Sequence, residues 1–133
     1  MKAAKMLQTH PETVGLDREL VALAIDAAVT CSQACTACAD ACLSEDMVAD
    51  LRACIRLNLD CADICSATVR ILSRHTGDSV DVTRAQLEAC IAACRACGNE
   101  CVQHASMHEH CAVCADACRA CEAACRELLA TLS

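Results

Sequence analysis

Cysteine recurs at alternating steps of three and four residues through Cys111, Cys114, Cys118, Cys121 and Cys125. Those steps define one face of an α-helix, and the residues between are Ala, Val, Asp, Arg and Glu, so helix propensity agrees with the periodicity. The spacing C-x3-C-x2-C-x3-C appears at Cys31, Cys35, Cys38 and Cys42 and again at Cys90, Cys94, Cys97 and Cys101, while a sparser stripe carries Cys54, Cys61 and Cys65. Soft thiolates select Cu(I), Zn(II) and iron–sulfur clusters. Charge separates these options. A Zn(II) ion with four thiolates leaves two excess negative charges, and several such sites stacked in a dry core are strongly penalised. One Cu(I) per thiolate is neutral, bridging lets each sulfur serve two ions, and a C-x3-C pair one turn apart supplies two ligands without bending the backbone. The expected cargo is therefore many Cu(I) ions. A zinc or cadmium thiolate buffer and an iron–sulfur electron-transfer protein are the rivals.

Weaker donors join the stripes. Asn58 falls on the face of Cys54, Cys61 and Cys65, either as a polar residue specifying helix register or as an oxygen donor. His104 falls on the third stripe and His108 one turn beyond. His110 neighbours Cys111 off the stripe, as a candidate ligand or merely an exposed residue. Met47 and Met107 extend the second and fourth stripes and, beside the imidazoles, suggest a Cu(I) entrance.

Four helices must carry these stripes. A short leading turn over 9–14 is expected, with Thr9 as N-cap and Pro11 in its first turn. The first long helix then runs from about Leu16 to Leu43, with Val21, Ala24 and Ala28 preceding its thiols. Ser44 caps a second helix that starts at once, bearing Met47, Leu51, Thr68 and Leu72 inward and ending near Arg74, His75 and Gly77. Residues 76–82 form a loop. Thr83 and Gln86 offer a capping box at or inside the third helix, Ser106 and Glu109 one for the fourth. Gly98, costing about 1 kcal/mol against alanine, suggests close approach of a neighbouring helix. Short connections give an all-α, antiparallel up-down-up-down four-helix bundle. One end then gathers Cys42, Met47, Cys101, His104, Met107, His108 and Cys111. The other gathers Val21, Ala24, Leu72, Leu87, Leu128 and Leu132 as a hydrocarbon plug. Between them the thiols cover roughly 27 Å of helix at 1.5 Å per residue.

Composition sets the remaining bounds. The chain has 133 residues, which fits a single domain over 1–133. It holds 16 Cys and no Phe, Trp or Tyr, so small side chains leave thin packing between helix axes unless metal occupies the space. No apolar run resembles a signal-peptide core or a membrane span, and the expected setting is cytosolic, where thiols stay reduced and cysteine density points to metal. The net charge of −7 disfavours nucleic acid. No membrane partner is expected, and nothing identifies a copper donor or acceptor protein.

The chain resembles the cytosolic branch of the bacterial copper-storage proteins, cysteine-lined four-helix bundles that hold many Cu(I) ions. The pairs Cys31/Cys35, Cys38/Cys42, Cys61/Cys65, Cys90/Cys94, Cys97/Cys101, Cys114/Cys118 and Cys121/Cys125 match that family's motif. The resemblance implies that Cys54 and Cys111, outside such pairs, bind across helices, with Cys111 near the mouth. It also implies a non-enzymatic storage role and a homotetramer. Cys31-x3-Cys35-x2-Cys38 matches the cluster motif of radical enzymes using S-adenosylmethionine too, but that motif sits on a loop of a larger α/β barrel, and no strand pattern occurs here. A core in which cysteine is only a small hydrophobe would not require four stripes in register.

Overall fold

The computed structural model describes residues 2–12, 14–77 and 80–132. Five α-helices follow in order: α1 (Ala3–Thr9), α2 (Arg18–Leu43), α3 (Arg52–Leu72), α4 (Val80–His104) and α5 (Glu109–Ala130), with a 3-10 turn at Val48–Leu51. No strand occurs among the described residues. Helices α2 to α5 form a four-helix bundle in which α2 packs on α3 and α5, and α4 packs on α3 and α5, while α1 lies against α2 alone.

The register of the bundle is written in its thiols. Sγ atoms meet between α3 and α4 at Cys54–Cys101, Cys61–Cys94 and Cys65–Cys90, each 3.8–3.9 Å apart. They meet between α2 and α5 at Cys31–Cys118, Cys35–Cys114 and Cys38–Cys111, each 3.7–3.9 Å apart. As one residue number rises its partner falls by the same amount, which is an antiparallel pairing with no slip along either seam. Small side chains at every inward position permit such close approach. Gly98 contributes where sulfur alone is not small enough, since a Cβ there would lie 3.1 Å from Arg119 Nη1 and 3.3 Å from the Cys118 Cβ. The α4–α5 contact is thus the approach expected of that glycine.

Local signals explain most helix ends, with several corrections. Asp17 caps α2 by accepting the Leu20 N–H at 3.1 Å, and Glu19 complements the first turn. Thr9 does not start a helix. It ends α1, because the residue before Pro11 is driven to an extended conformation and His10 adopts φ −61°, ψ 132°. Thr13, in the expected leading turn, lies outside the described residues. Ser44 closes α2, donating its backbone N–H to the Ala41 carbonyl while Glu45 N–H bonds that of Cys42, and α3 begins only at Arg52 after the 3-10 turn. Met47 therefore belongs to the connection and is exposed rather than inward. Helix α3 stops at Leu72, so Arg74 and His75 follow it, and Gly77 turns the chain at φ +80°. Val80–Val82, expected in a loop, are helical, and Asp78 and Ser79 lie outside the described residues. Thr83 sits inside α4, and Gln86 donates to Thr68 Oγ1 at 2.9 Å and to the Ile64 carbonyl at 3.2 Å. His108, not Ser106, precedes α5, which places exposed Met107 outside the helix.

Val21, Ala24, Leu72, Leu87 and Leu128 are buried at the end opposite the α2–α3 and α4–α5 connections, and Leu132 is half-buried beside them. Contrary to the expectation that nothing approaches a membrane span, α2 is long and apolar enough to cross one by length and composition. Its apolar side faces α3 and α5 in the bundle.

Candidate metal centre

All sixteen cysteines are free and buried, none more than 2 % exposed. Their side chains line a continuous tube. Near the plug Cys125 lies 3.8 Å from Cys90, which lies 3.9 Å from both Cys65 and Cys121. Mid-tube Cys35 lies 3.7 Å from Cys118 and from Cys114, and 3.9 Å from Cys97. Four-sulfur groups with all Sγ atoms within 4.8 Å of one another form at Cys31/Cys65/Cys94/Cys121, Cys31/Cys35/Cys61/Cys118, Cys35/Cys97/Cys114/Cys118 and Cys38/Cys42/Cys54/Cys111, and a triad at Cys38/Cys101/Cys114. Cys31, Cys35, Cys38, Cys114 and Cys118 each belong to two of these groups. A row of separate tetrahedral sites would need sulfurs it does not share. Bridging ions with one or two thiolates each suit shared sulfurs.

The thiols do not share protons evenly. Burial raises the pKa of every one, and S–H bonds from neighbours then divide them. Cys114, Cys31 and Cys35 hold Cys118 down to about 2. Cys118, Cys31 and Cys35 likewise lower Cys61. Cys31 falls to about 6: Cys118 raises it, but Cys121 and Cys35 prevail. Cys35 is raised by its bonds to Cys114, Cys118 and Cys31, and Cys94 by those to Cys121, Cys31 and Cys61. Hydrogen bonds between sulfurs thus link the thiols of all four long helices into one network.

Asn58 is fully buried on α3 with its amide oxygen turned into the tube. That oxygen accepts from Cys97 at 2.9 Å and Cys114 at 3.0 Å, and lies 3.8 Å from Cys101, while its NH2 points to Cys54 at 3.5 Å. The side chain thus offers oxygen where sulfur stripes from two other helices converge.

At the connection end the histidines sort differently from their sequence positions. His104, on the stripe, bonds Glu100 Oε2 at 2.8 Å one turn back on its own helix. His110, off the stripe, is half-buried with Nδ1 3.3 Å from Cys38 Sγ and 3.6 Å from Cys111 Sγ. It is therefore not merely exposed. His108 is buried and stacks on His110 with ring centres 5.5 Å apart and planes at 21°. Met107 is 68 % exposed and Met47 37 %, so neither stands on an inward stripe. The residue that sequence reasoning missed is Glu45. Its Oε2 lies 2.9 Å from both His108 Nδ1 and His110 Nε2. The hydrogen bond from His110 holds the Glu45 carboxyl below its usual range. Burial alone would lower His110, but its bonds to Cys38 and Glu45 raise it. The only advance signal was an acid in a connection, which complements a helix N-terminus equally well.

A family model described as copper storage protein matches residues 17–130. Three solved structures are similar. A copper storage protein from Streptomyces lividans loaded with 10 copper equivalents is 60 % identical, with a TM-score of 0.96 over 98 % of this chain and 99 % of that one. A cytosolic copper storage protein from Streptomyces lividans with five coppers is 63 % identical, with a TM-score of 0.85 over 86 % of this chain and 96 % of that one. The Cu(I)-bound copper storage protein 3 of Bacillus subtilis is 36 % identical, with a TM-score of 0.69 over 79 % of this chain and 93 % of that one.

Proposed function

The chain belongs to the copper storage protein family, and from that membership we propose that it stores and sequesters many Cu(I) ions in the cytosol, as a non-enzymatic protein acting as one domain over 1–133. The observation that carries this reading is the overlap of the four-thiol groups: sulfur is shared along the whole tube. All sixteen cysteines are thiolates once Cu(I) fills the tube, and each ion balances one charge. The ligands are the sixteen cysteines, joined by Asn58 Oδ1 in mid-tube and His110 Nδ1 at the mouth. His104, His108, Met47 and Met107 serve at or near the rim as weak neutral donors that pass ions inward. The relatives from Streptomyces lividans and Bacillus subtilis, solved with copper bound, support the cargo, and the cytosolic relative supports the location. Assembly into a homotetramer completes the proposal.

Titration of reduced protein with Cu(I) against a strong competing chelator tests the storage reading. Loading on the order of one ion per thiolate is expected. Saturation at two or three ions overturns it. Metal analysis after isolation from copper-supplemented cells separates the rivals. Iron with matching acid-labile sulfide would favour a cluster protein, and zinc that survives copper challenge would favour a zinc buffer.

A further inference from the structure

We propose that Glu45 is a positioning residue for copper capture: its carboxylate fixes the tautomer and aim of His110, so that the Nδ1 lone pair is the first donor facing the mouth thiols. This rests on the storage reading above.

The argument starts from what each group can do. A neutral imidazole carries one N–H and one lone pair, and an ionised carboxylate only accepts. His110 Nε2 lies 2.9 Å from Glu45 Oε2, so the proton sits on Nε2 and the lone pair on Nδ1. In the neutral ring that lone pair faces Cys38 Sγ at 3.3 Å and Cys111 Sγ at 3.6 Å, where an ion bound by either sulfur would meet it. The opposite tautomer would aim an N–H at sulfur and block the donor. The same Oε2 lies 2.9 Å from His108 Nδ1, which must then carry its own proton. One carboxylate oxygen therefore holds two stacked rings in opposite tautomers, and only His110 presents a bare nitrogen to the tube.

The placement is also mechanical. Glu45 lies in the connection after α2, and both histidines lie at the start of α5. Its hydrogen bond with His110 and its 2.9 Å ion-pair contact with His108 tie these segments together across the opening, above Cys38 on α2 and Cys111 on α5. An imidazole held at its far nitrogen by a carboxylate is a more basic and better-aimed ligand than a free one, and loss of such a partner typically costs ten- to a hundred-fold in metal affinity or activity. The carboxylate acts through the ring and does not itself reach a thiol in the structure.

Because Oε2 alone makes both contacts, the proposal separates position from charge. Glu45→Gln keeps one acceptor oxygen and removes the charge; Glu45→Ala removes both. With ¹⁵N-labelled histidine in reduced, metal-free protein, His110 should show protonated Nε2 and bare Nδ1 in the parent and in Glu45→Gln. In Glu45→Ala the Nε2–H should lose its protection from exchange with water. Stopped-flow uptake from a Cu(I)–acetonitrile donor should slow by roughly ten-fold in Glu45→Ala and stay close to the parent in Glu45→Gln. A parent His110 protonated at Nδ1 overturns the proposal. So does slow uptake in Glu45→Gln equal to that of Glu45→Ala, which would assign the effect to charge. If tautomer and exchange behave as expected but the parent saturates at two or three ions, the positioning stands and the storage reading fails.

Discussion

Filling the tube with Cu(I) at pH 8 should release about twelve protons per chain. Six thiols have lowered pKa values: Cys31, Cys38, Cys61, Cys90, Cys118 and Cys121. Taken singly, each would be a thiolate at pH 8. They are not single. Cys31 lies 3.9 Å from Cys61 and 3.8 Å from Cys118, and Cys90 lies 3.9 Å from Cys121. Two unit charges at that separation repel by about 4 kcal/mol at an effective dielectric near 20, which corresponds to about three pKa units. That carries Cys31, from about 6, and Cys90, from about 5, up to about pH 8 or above, but leaves Cys118 and Cys121, each from about 2, well below it. Cys38, Cys61, Cys118 and Cys121 carry charge while Cys31 and Cys90 keep their protons, leaving about twelve of sixteen thiols protonated before copper arrives. All sixteen lose their protons when they ligate metal. Loading from a proton-neutral Cu(I) complex in weak buffer at pH 8, followed with an indicator dye, counts the protons directly. A total near ten would mean that all six lowered thiols carry charge together. That result would refute the repulsion argument.

The Glu45–His110 contact should leave a pH signature in the metal-free protein. Glu45 is lowered from 4.5, so its contribution is present above that value and is lost as pH falls through its folded value. His110 is raised from 6.5, so its contribution is full below that value and is lost as pH rises through its folded value. The difference in Tm between parent and Glu45→Ala should therefore peak between pH 4.5 and 6.5; a difference that grows steadily towards pH 9 would contradict this. At the opposite end, Leu87 is fully buried in the plug, and Leu87→Ala should cost about 2–5 kcal/mol of unfolding free energy in metal-free protein. The far-ultraviolet circular dichroism of that protein, parent or variant, should already be helical below its melting temperature, and a random-coil spectrum that becomes helical only with copper would sink the claim that caps and plug fold the bundle without metal.

The stripes were legible because helical periodicity is a local property, and every cysteine they placed inward is inward. Helix ends were less legible. Thr9 and Ser44 are good N-cap residue types, but each sits where the preceding helix is finishing, and residue type alone does not tell a start from a stop. Asn58 could be placed on the inward face but not oriented, since its oxygen is turned by thiols on α4 and α5. His110 and Glu45 show the limit most clearly. They are 65 residues apart, and neither belongs to a stripe. The first turn of α5 brings His110 over Cys38 on the adjacent helix, a meeting that exists only after two helices have docked.

The tube is chemically directional even though its thiols are of one kind. Antiparallel pairing puts sulfurs from different helices at each level, so an ion can move along the axis by exchanging one bridging thiolate at a time without leaving sulfur. What differs is how the two ends are closed. At the plug, Leu72, Leu87 and Leu128 are buried hydrocarbon with no donor for a departing ion, and a bare cation there would meet the full cost of desolvation. At the mouth, a neutral imidazole nitrogen reaches Cys38 and Cys111 while its other nitrogen is held by a half-exposed carboxylate. A neutral donor binds Cu(I) less tightly than a thiolate, so it can take an ion from outside and yield it to the sulfur behind. On the proposed storage function, traffic in both directions would be confined to the end where Glu45 meets the histidines of α5, with exchange governed by a few side chains and capacity by the sixteen cysteines.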